Sequence, residues 1–193
     1  LSYGGKLTFT QRTDGTGQYV EDQDVIVKGN GITIAHSRSN LEQETYSVKF
    51  VETEWQTLQR QGPRPASRAD ILTVLSNVDS ILIRASIRSY TSSSGLSDII
   101  LEYGVRQSTS LGRIREIEAC RCPPGYTGTS CEQCATNYYR DFTDRSAGLL
   151  GSCKVCPCDN AESCEMTANR RVVCRCLPGY TGEFCRDRAG EYA

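Results

Sequence analysis

Cysteine is the residue type with the most chemistry to offer in this chain, and all eleven copies lie between Cys120 and Cys185. Their Cys-x-Cys and Cys-x-x-Cys spacings suit two kinds of bond, disulfides between thiols or thiolate ligation of zinc. The one histidine, His36, stands far upstream, and the cysteines are set among Gly-Tyr-x-Gly turns and not in zinc knuckles. Disulfides are therefore the expectation, with structural zinc as the alternative. Modules this small bury too little apolar surface to fold unaided, so cross-links made in an oxidising compartment would stand in for a core.

Other candidate groups are weaker. His36 with Ser37 beside it suggests a nucleophile–base pair, but no glycine pattern of a nucleophile elbow surrounds them. A strand-end histidine facing water is the expectation. Glu21-Asp22-Gln23-Asp24 lacks the glycine and spaced carboxylates of a calcium loop, and is expected to be a solvated approach to a strand. Trp55 could be a ligand platform; a large apolar anchor in a core is the better fit. Arginines gather at Arg84, Arg88, Arg106, Arg113 and Arg115. Arg84 and Arg88 on one strand face would make a basic stripe for a sulfated glycan, partly neutralised by Glu102, Glu116 and Glu118. Ser94-Gly95 near Asp98 loosely matches a glycosaminoglycan attachment dipeptide, and a serine-rich loop tip explains the same residues.

The elements that carry these groups read as short strands. Lys6–Thr10 alternates, Thr13–Gly17 is turn-like, and Asp24–Lys28 with Ile32–His36 flanks Gly29-Asn30-Gly31. Two β-branched runs around such a pivot make a hairpin, because glycine and asparagine tolerate positive φ. Tyr46–Val51 alternates again. One helix is expected from Arg68 to Val78, with Ile71, Leu72, Leu75 and Val78 on its apolar face, Ser67 as cap and Asp70 in the first turn. Ser80–Ser89 and Ile99–Tyr103 are further strands, broken at Thr91–Leu96. The fold class is mainly β: an antiparallel sandwich, jelly-roll-like, with one short helix, followed by disulfide-rich modules. Its 119 cysteine-free residues are enough for one core.

The chain is 193 residues long with a net charge of −1, so no overall field draws it to nucleic acid or an anionic membrane. No stretch approaches the ~18 apolar residues of a spanning helix, so no membrane insertion is expected. No signal peptide opens the chain, so secretion implies a leader upstream and a piece of a longer protein. No Asn-x-Ser/Thr sequon occurs. The run CRCPPGYTGTSC from Cys120 returns as CRCLPGYTGEFC from Cys174, the mark of tandem modules.

Those cysteine runs resemble laminin-type EGF-like modules, whose eight cysteines pair 1–3, 2–4, 5–6 and 7–8. The resemblance makes Cys120, Cys122, Cys131, Cys134 and Cys153 the fourth to eighth positions. It implies bridges Cys122–Cys131 and Cys134–Cys153, and a partner for Cys120 beyond this chain, which is unpaired within it. Cys156, Cys158, Cys164, Cys174, Cys176 and Cys185 match the first six positions, implying Cys156–Cys164, Cys158–Cys174 and Cys176–Cys185. Arg188 stands where the seventh cysteine would fall, so the last module is similar to a six-cysteine EGF module; the acidic calcium consensus before its first cysteine is absent, and no metal or cofactor is expected.

Ser2-Tyr3-Gly4-Gly5-Lys6-Leu7, the strand Ser80–Ser86 and the exit into Cys120–Tyr126 resemble a laminin IV type A domain, which is inserted into an EGF-like module. Residues 1–119 would be that domain without its earliest strands, leaving an exposed sheet edge. Residues 120–155 would be the second half of the split module and 156–193 the six-cysteine module, with three cysteines of the first half expected upstream. Among proteins with such domains, a basement-membrane heparan sulfate proteoglycan is the nearer match and the laminin α chains the second. The resemblance implies a non-enzymatic, secreted matrix module that spaces and presents interaction surfaces. Its expected partners are other basement-membrane proteins, growth factors or cell-surface receptors. The competing readings are a glycan- or growth-factor-binding sandwich using Arg84 and Arg88, and a hydrolase resting on His36 alone.

Overall fold

A computed structural model describes residues 1–105, 110, 112 and 115–190. Two compact units divide the chain, Leu1–Ala119 and Cys120–Ala193. Arg106 and Arg113 lie outside the described residues.

The first unit begins with β1, Lys6–Tyr19, whose Leu7, Phe9 and Gln11 point inward in alternation. Then come β2, Val25–Gly29, and β3, Ile32–His36, paired antiparallel with Gly29 opposite Ile32. The loop between them is Asn30-Gly31 alone, both at positive φ (47° and 72°), the two-residue turn that matches strand twist. The Asn30 amide also donates to the Thr73 carbonyl and the Ser76 hydroxyl, each at 2.8 Å.

After β4, Thr45–Lys49, a short pair follows, β5, Gln56–Gln59, and β6, Gly62–Pro65. Helix α1 runs Arg68–Ser76. Ser67 caps it reciprocally: its hydroxyl accepts from the Asp70 amide at 3.2 Å, while the Asp70 carboxylate accepts from the Ser67 amide at 2.8 Å. Ile71, Leu72, Val74 and Leu75 are buried, and Val78, expected at the end of the helix, instead opens the next strand. That strand is β7, Val78–Ile83, and β8 runs Arg88–Leu101.

The sheets are β4-β1-β8 and β6-β5-β3-β2-β7, every pairing antiparallel. One core joins them: Leu7, Phe9, Val25, Val27, Ile34, Val48, Phe50, Trp55, Ile71, Val74 and Leu75. Among the described residues β8 has a neighbour on one side only, and it leaves Leu96, Ile99 and Ile100 exposed.

Three local expectations give way to long-range pairing. Thr13–Gly17 is not a turn, and Thr91–Leu96 is not a break: they face each other across the β1–β8 ladder, with register shifts at Asp14/Gly15 and Thr16/Tyr19. Ser80–Ser89 is not one strand. Arg84 follows the end of β7 and Arg88 begins β8, so the two share no strand face.

Candidate functional site

His36, at the end of β3, is the first place to look for catalysis, and it does not face water. It is 8% exposed, with Nδ1 2.5 Å from the Glu54 carbonyl and Nε2 2.5 Å from the Tyr46 hydroxyl. A carbonyl can only accept, so Nδ1 carries the proton and the Tyr46 hydroxyl donates to Nε2. Both ring nitrogens are thus used, and neither is turned to Ser37. The histidine is buried because its polar atoms are satisfied by groups that β4 and the 3₁₀ turn Glu52–Glu54 bring beside it. Around it opens a cleft of about 460 Å³, lined by Tyr46, Ser37, Ser39, Glu52, Glu54 and Gln56 among others. Burial raises the Tyr46 hydroxyl above its ordinary value, with the charge of Glu54 adding to it. Trp55 is no platform: it is 2% exposed, stacked on Phe50 at 5.3 Å, with its indole N–H donating to the Lys49 carbonyl at 2.7 Å.

Asp24, expected in a solvated approach, is instead the centre of a buried ion network. Its carboxylate accepts from the Arg38 amide at 2.6 Å, Arg38 Nη2 at 3.3 Å and Arg84 Nη2 at 2.7 Å. The Asp24 and Arg38 side chains are each 1% exposed. Gln11 joins the network, accepting from Arg38 Nη2 at 2.6 Å and donating to the Arg84 carbonyl at 2.7 Å, while Arg38 Nε and Nη1 are buried without a hydrogen-bond partner among the described residues. The exposed members of the acidic run are Glu21 and Asp22. Nothing in the sequence alone shows that Asp24 finds two arginines, since Arg38 and Arg84 lie far along the chain.

For a glycan, this matters directly. The Arg84 guanidinium is committed to Asp24, with its side chain 15% exposed. Arg88 lies 4.1 Å over the Tyr19 ring and donates to the Tyr19 hydroxyl at 2.7 Å. Ser94-Gly95 sits in β8 opposite Thr13 and Arg12, not on a loop tip.

In the second unit the cysteines join as Cys122–Cys131, Cys134–Cys153, Cys156–Cys164, Cys158–Cys174 and Cys176–Cys185. Cys120 is half-buried, with its amide donating to the Thr129 carbonyl at 2.7 Å. Among the described residues no group of three His, Cys, Asp or Glu side chains is placed to hold a metal ion.

The two Gly-Tyr-Thr-Gly loops share their backbone angles and hydrogen bonds. Gly125 and Gly179 have φ of 86° and 87°, Gly128 and Gly182 of 91° and 90°, and Cys131 and Cys185 of 60° and 57°. Tyr126 and Tyr180 each donate an amide bond of 3.1 Å back into the loop, to Pro123 and Leu177. Both loops then pair with a returning strand, Cys134 opposite Tyr126 and Arg188 opposite Tyr180. Arg188 therefore occupies the place of the cysteine that, in the first copy, bridges to Cys153. All four glycines hold a positive φ, and at Gly125 close contact adds to it: a Cβ there would stand 2.7 Å from the Tyr138 ring, whereas its counterpart Gly179 has open space around it.

A cross-link-free sandwich leading into repeated, bridged loops is the build of an extracellular modular protein. The chain belongs to the Laminin B (Domain IV) family, whose model matches residues 1–118; the Laminin EGF domain model matches residues 114–148. It is 37% identical over 191 residues to the mouse basement membrane-specific heparan sulfate proteoglycan core protein, covering 95% of this chain and 5% of that protein. It is 32% identical over 201 positions to the Caenorhabditis elegans basement membrane proteoglycan, covering 96% of this chain and 6% of the relative. Mouse laminin subunit alpha-1 is 31% identical over 212 positions, with 95% and 7% covered. The chain thus spans a small fraction of each of these proteins.

Proposed function

We propose that this chain is a non-enzymatic structural module of the basement membrane, secreted as part of a proteoglycan of the perlecan type, in which bridged modules space a β-sandwich and present its surfaces to other matrix components. Residues 120–155 act as the second half of a split laminin EGF-like module and residues 156–193 as a six-cysteine EGF module. The observation that carries this reading is the family match across the sandwich together with the twin bridged loops that follow it. The engagement of both His36 nitrogens supports the absence of hydrolysis.

Adhesion is tested by surface plasmon resonance of the 193-residue chain over immobilised laminin, with an unrelated disulfide-rich module as reference. Saturable binding above the reference supports the reading, and none at tens of micromolar opposes an adhesive role for this segment. The second reading, a sulfated-glycan site at Arg84 and Arg88, is tested on a heparin column. With Arg84 turned to Asp24 and Arg88 to Tyr19, elution at low salt is expected. Retention to high salt that is lost in Arg88→Ala would establish the glycan site instead.

A further inference from the structure

Asn30-Gly31, the whole of the β2–β3 loop, is also the only asparagine–glycine step in the sequence. At such a step the backbone nitrogen that follows asparagine can reach the side-chain carbonyl carbon, because glycine has no Cβ to crowd the approach. Asn40, Asn77, Asn137, Asn160 and Asn169 are followed by residues that do carry one. Both loop residues are exposed, and nothing stands within 4 Å of the place a Gly31 Cβ would take.

The Asn30 side chain also fastens the loop to α1. Its Nδ2 donates to the Thr73 carbonyl and the Ser76 hydroxyl, each at 2.8 Å. A carbonyl only accepts, so the amide must turn its nitrogen to the helix and not its oxygen. Ser76 in turn donates to the same Thr73 carbonyl at 2.8 Å. Thr73 and Ser76 belong to the last turn of α1, where carbonyls without helical partners leave a partial negative charge. The hairpin is pressed against that end: a Cβ on Gly29 would stand 2.5 Å from the Val74 and Asn77 carbonyl oxygens. An amide nitrogen fits this place, and a carboxylate does not.

We propose that Asn30 is a site of spontaneous deamidation, and that its bonds to α1 are a latch that slows the reaction and is destroyed by it. The Gly31 nitrogen gives up its proton and attacks Asn30 Cγ. The new C–N bond closes a succinimide ring, and the side-chain nitrogen takes up a proton and leaves as ammonia. Water then opens the ring at either carbonyl, giving aspartate, or isoaspartate with the main chain rerouted through the side chain. The sum is asparagine and water giving the acid and ammonia, with no oxidant or enzyme. Ammonia can leave only once the bonds from Nδ2 to Thr73 and Ser76 are released, so a closed latch slows the loss. Either product replaces the donor with a carboxylate at the negative end of the helix. Isoaspartate also lengthens a loop that holds Gly29 opposite Ile32. This holds whatever the sandwich binds.

The test keeps the 193-residue chain, disulfides intact, at neutral pH and body temperature. Conversion of amide to acid is read at each asparagine by peptide mapping. Asn30 is expected to convert ahead of Asn40, Asn77, Asn137, Asn160 and Asn169. Ser76→Ala, which frees one Asn30 N–H, is expected to convert there several-fold faster, and the wild type unfolded in urea faster still. Conversion first at another asparagine would overturn the site. A folded wild type as fast as the unfolded chain, or a Ser76→Ala variant no faster than wild type, would overturn the latch. Asn30→Asp is expected to melt at a lower temperature than the wild type. The exposed Asn40→Asp, whose side-chain oxygen can still accept from the Glu42 amide, serves as the reference and is expected to melt unchanged. Equal melting of the two variants would also contradict the proposal.

Discussion

Asp24 and His36 are the residues whose surroundings matter most, because each is a polar group taken out of water and fully partnered. Removing Asp24 would leave Arg38 buried without its counter-charge. Asp24→Ala is therefore expected to cost about 3–5 kcal/mol, measured as a lowered denaturation midpoint with the disulfides intact; a loss no larger than that of an exposed acid such as Asp22→Ala would show the network to be incidental. His36→Leu orphans the Glu54 carbonyl and the Tyr46 hydroxyl. A cost of about 1–3 kcal/mol is expected, with no change in the hydrolysis of an activated ester. Loss of a measurable esterase activity in that variant would restore the catalytic reading of the cleft. Neither residue was legible as buried in the sequence. His36 ends a strand and Asp24 immediately precedes one, positions that usually face solvent, and the partners that reverse this come from Tyr46, Glu54, Arg38 and Arg84.

At the scale of elements, local chemistry was readable and distant pairing was not. The Asn30-Gly31 turn and the Ser67–Asp70 cap are each decided within a few residues, and the sequence shows both. The β1–β8 ladder is decided by two segments some eighty positions apart, built from Thr, Ser and Gly that locally favour turns. The helix cap carries a pH signature. Burial alone would raise the Asp70 carboxyl, but bonds from Arg64 (2.9 Å to each oxygen) and from Ser67 hold it below its ordinary 3.8. A carboxyl lowered by folding contributes stability that is present above its unfolded value and lost as pH falls through its folded one. Melting temperature is therefore expected to fall as pH drops below about 4, and less steeply in Asp70→Asn. An identical slope in the two proteins would rule Asp70 out as a source of the acid sensitivity. At the other extreme, burial and the bond to Glu52 push Tyr3 up to about 12, so its contribution is lost as pH rises from 10 toward that value. Ser67→Ala should cost about 1 kcal/mol through the lost cap.

For the whole molecule, the two units are held by different physics. The first has a shared apolar core. The second is cross-linked by disulfides and, among the described residues, contributes only Cys185 to the buried apolar side chains, and the twin Gly-Tyr-Thr-Gly loops reuse the same bridge with a Cα–Cα distance of 5.3 Å in each. Family resemblance supplied the pairing before the structure did, because spacing alone leaves many connectivities open for this many cysteines. The replacement of a seventh cysteine by Arg188 is a whole-module matter: its counterpart Cys134 reaches Cys153, and a lost bridge of that kind costs about 2–5 kcal/mol. The account as a whole rests on this framework of cross-links, and peptide mapping of the unreduced chain by mass spectrometry tests it most directly. The expected linked pairs are Cys122–Cys131, Cys134–Cys153, Cys156–Cys164, Cys158–Cys174 and Cys176–Cys185. Recovery of a different set, such as Cys134 joined to Cys156 or Cys174 joined to Cys185, would contradict it.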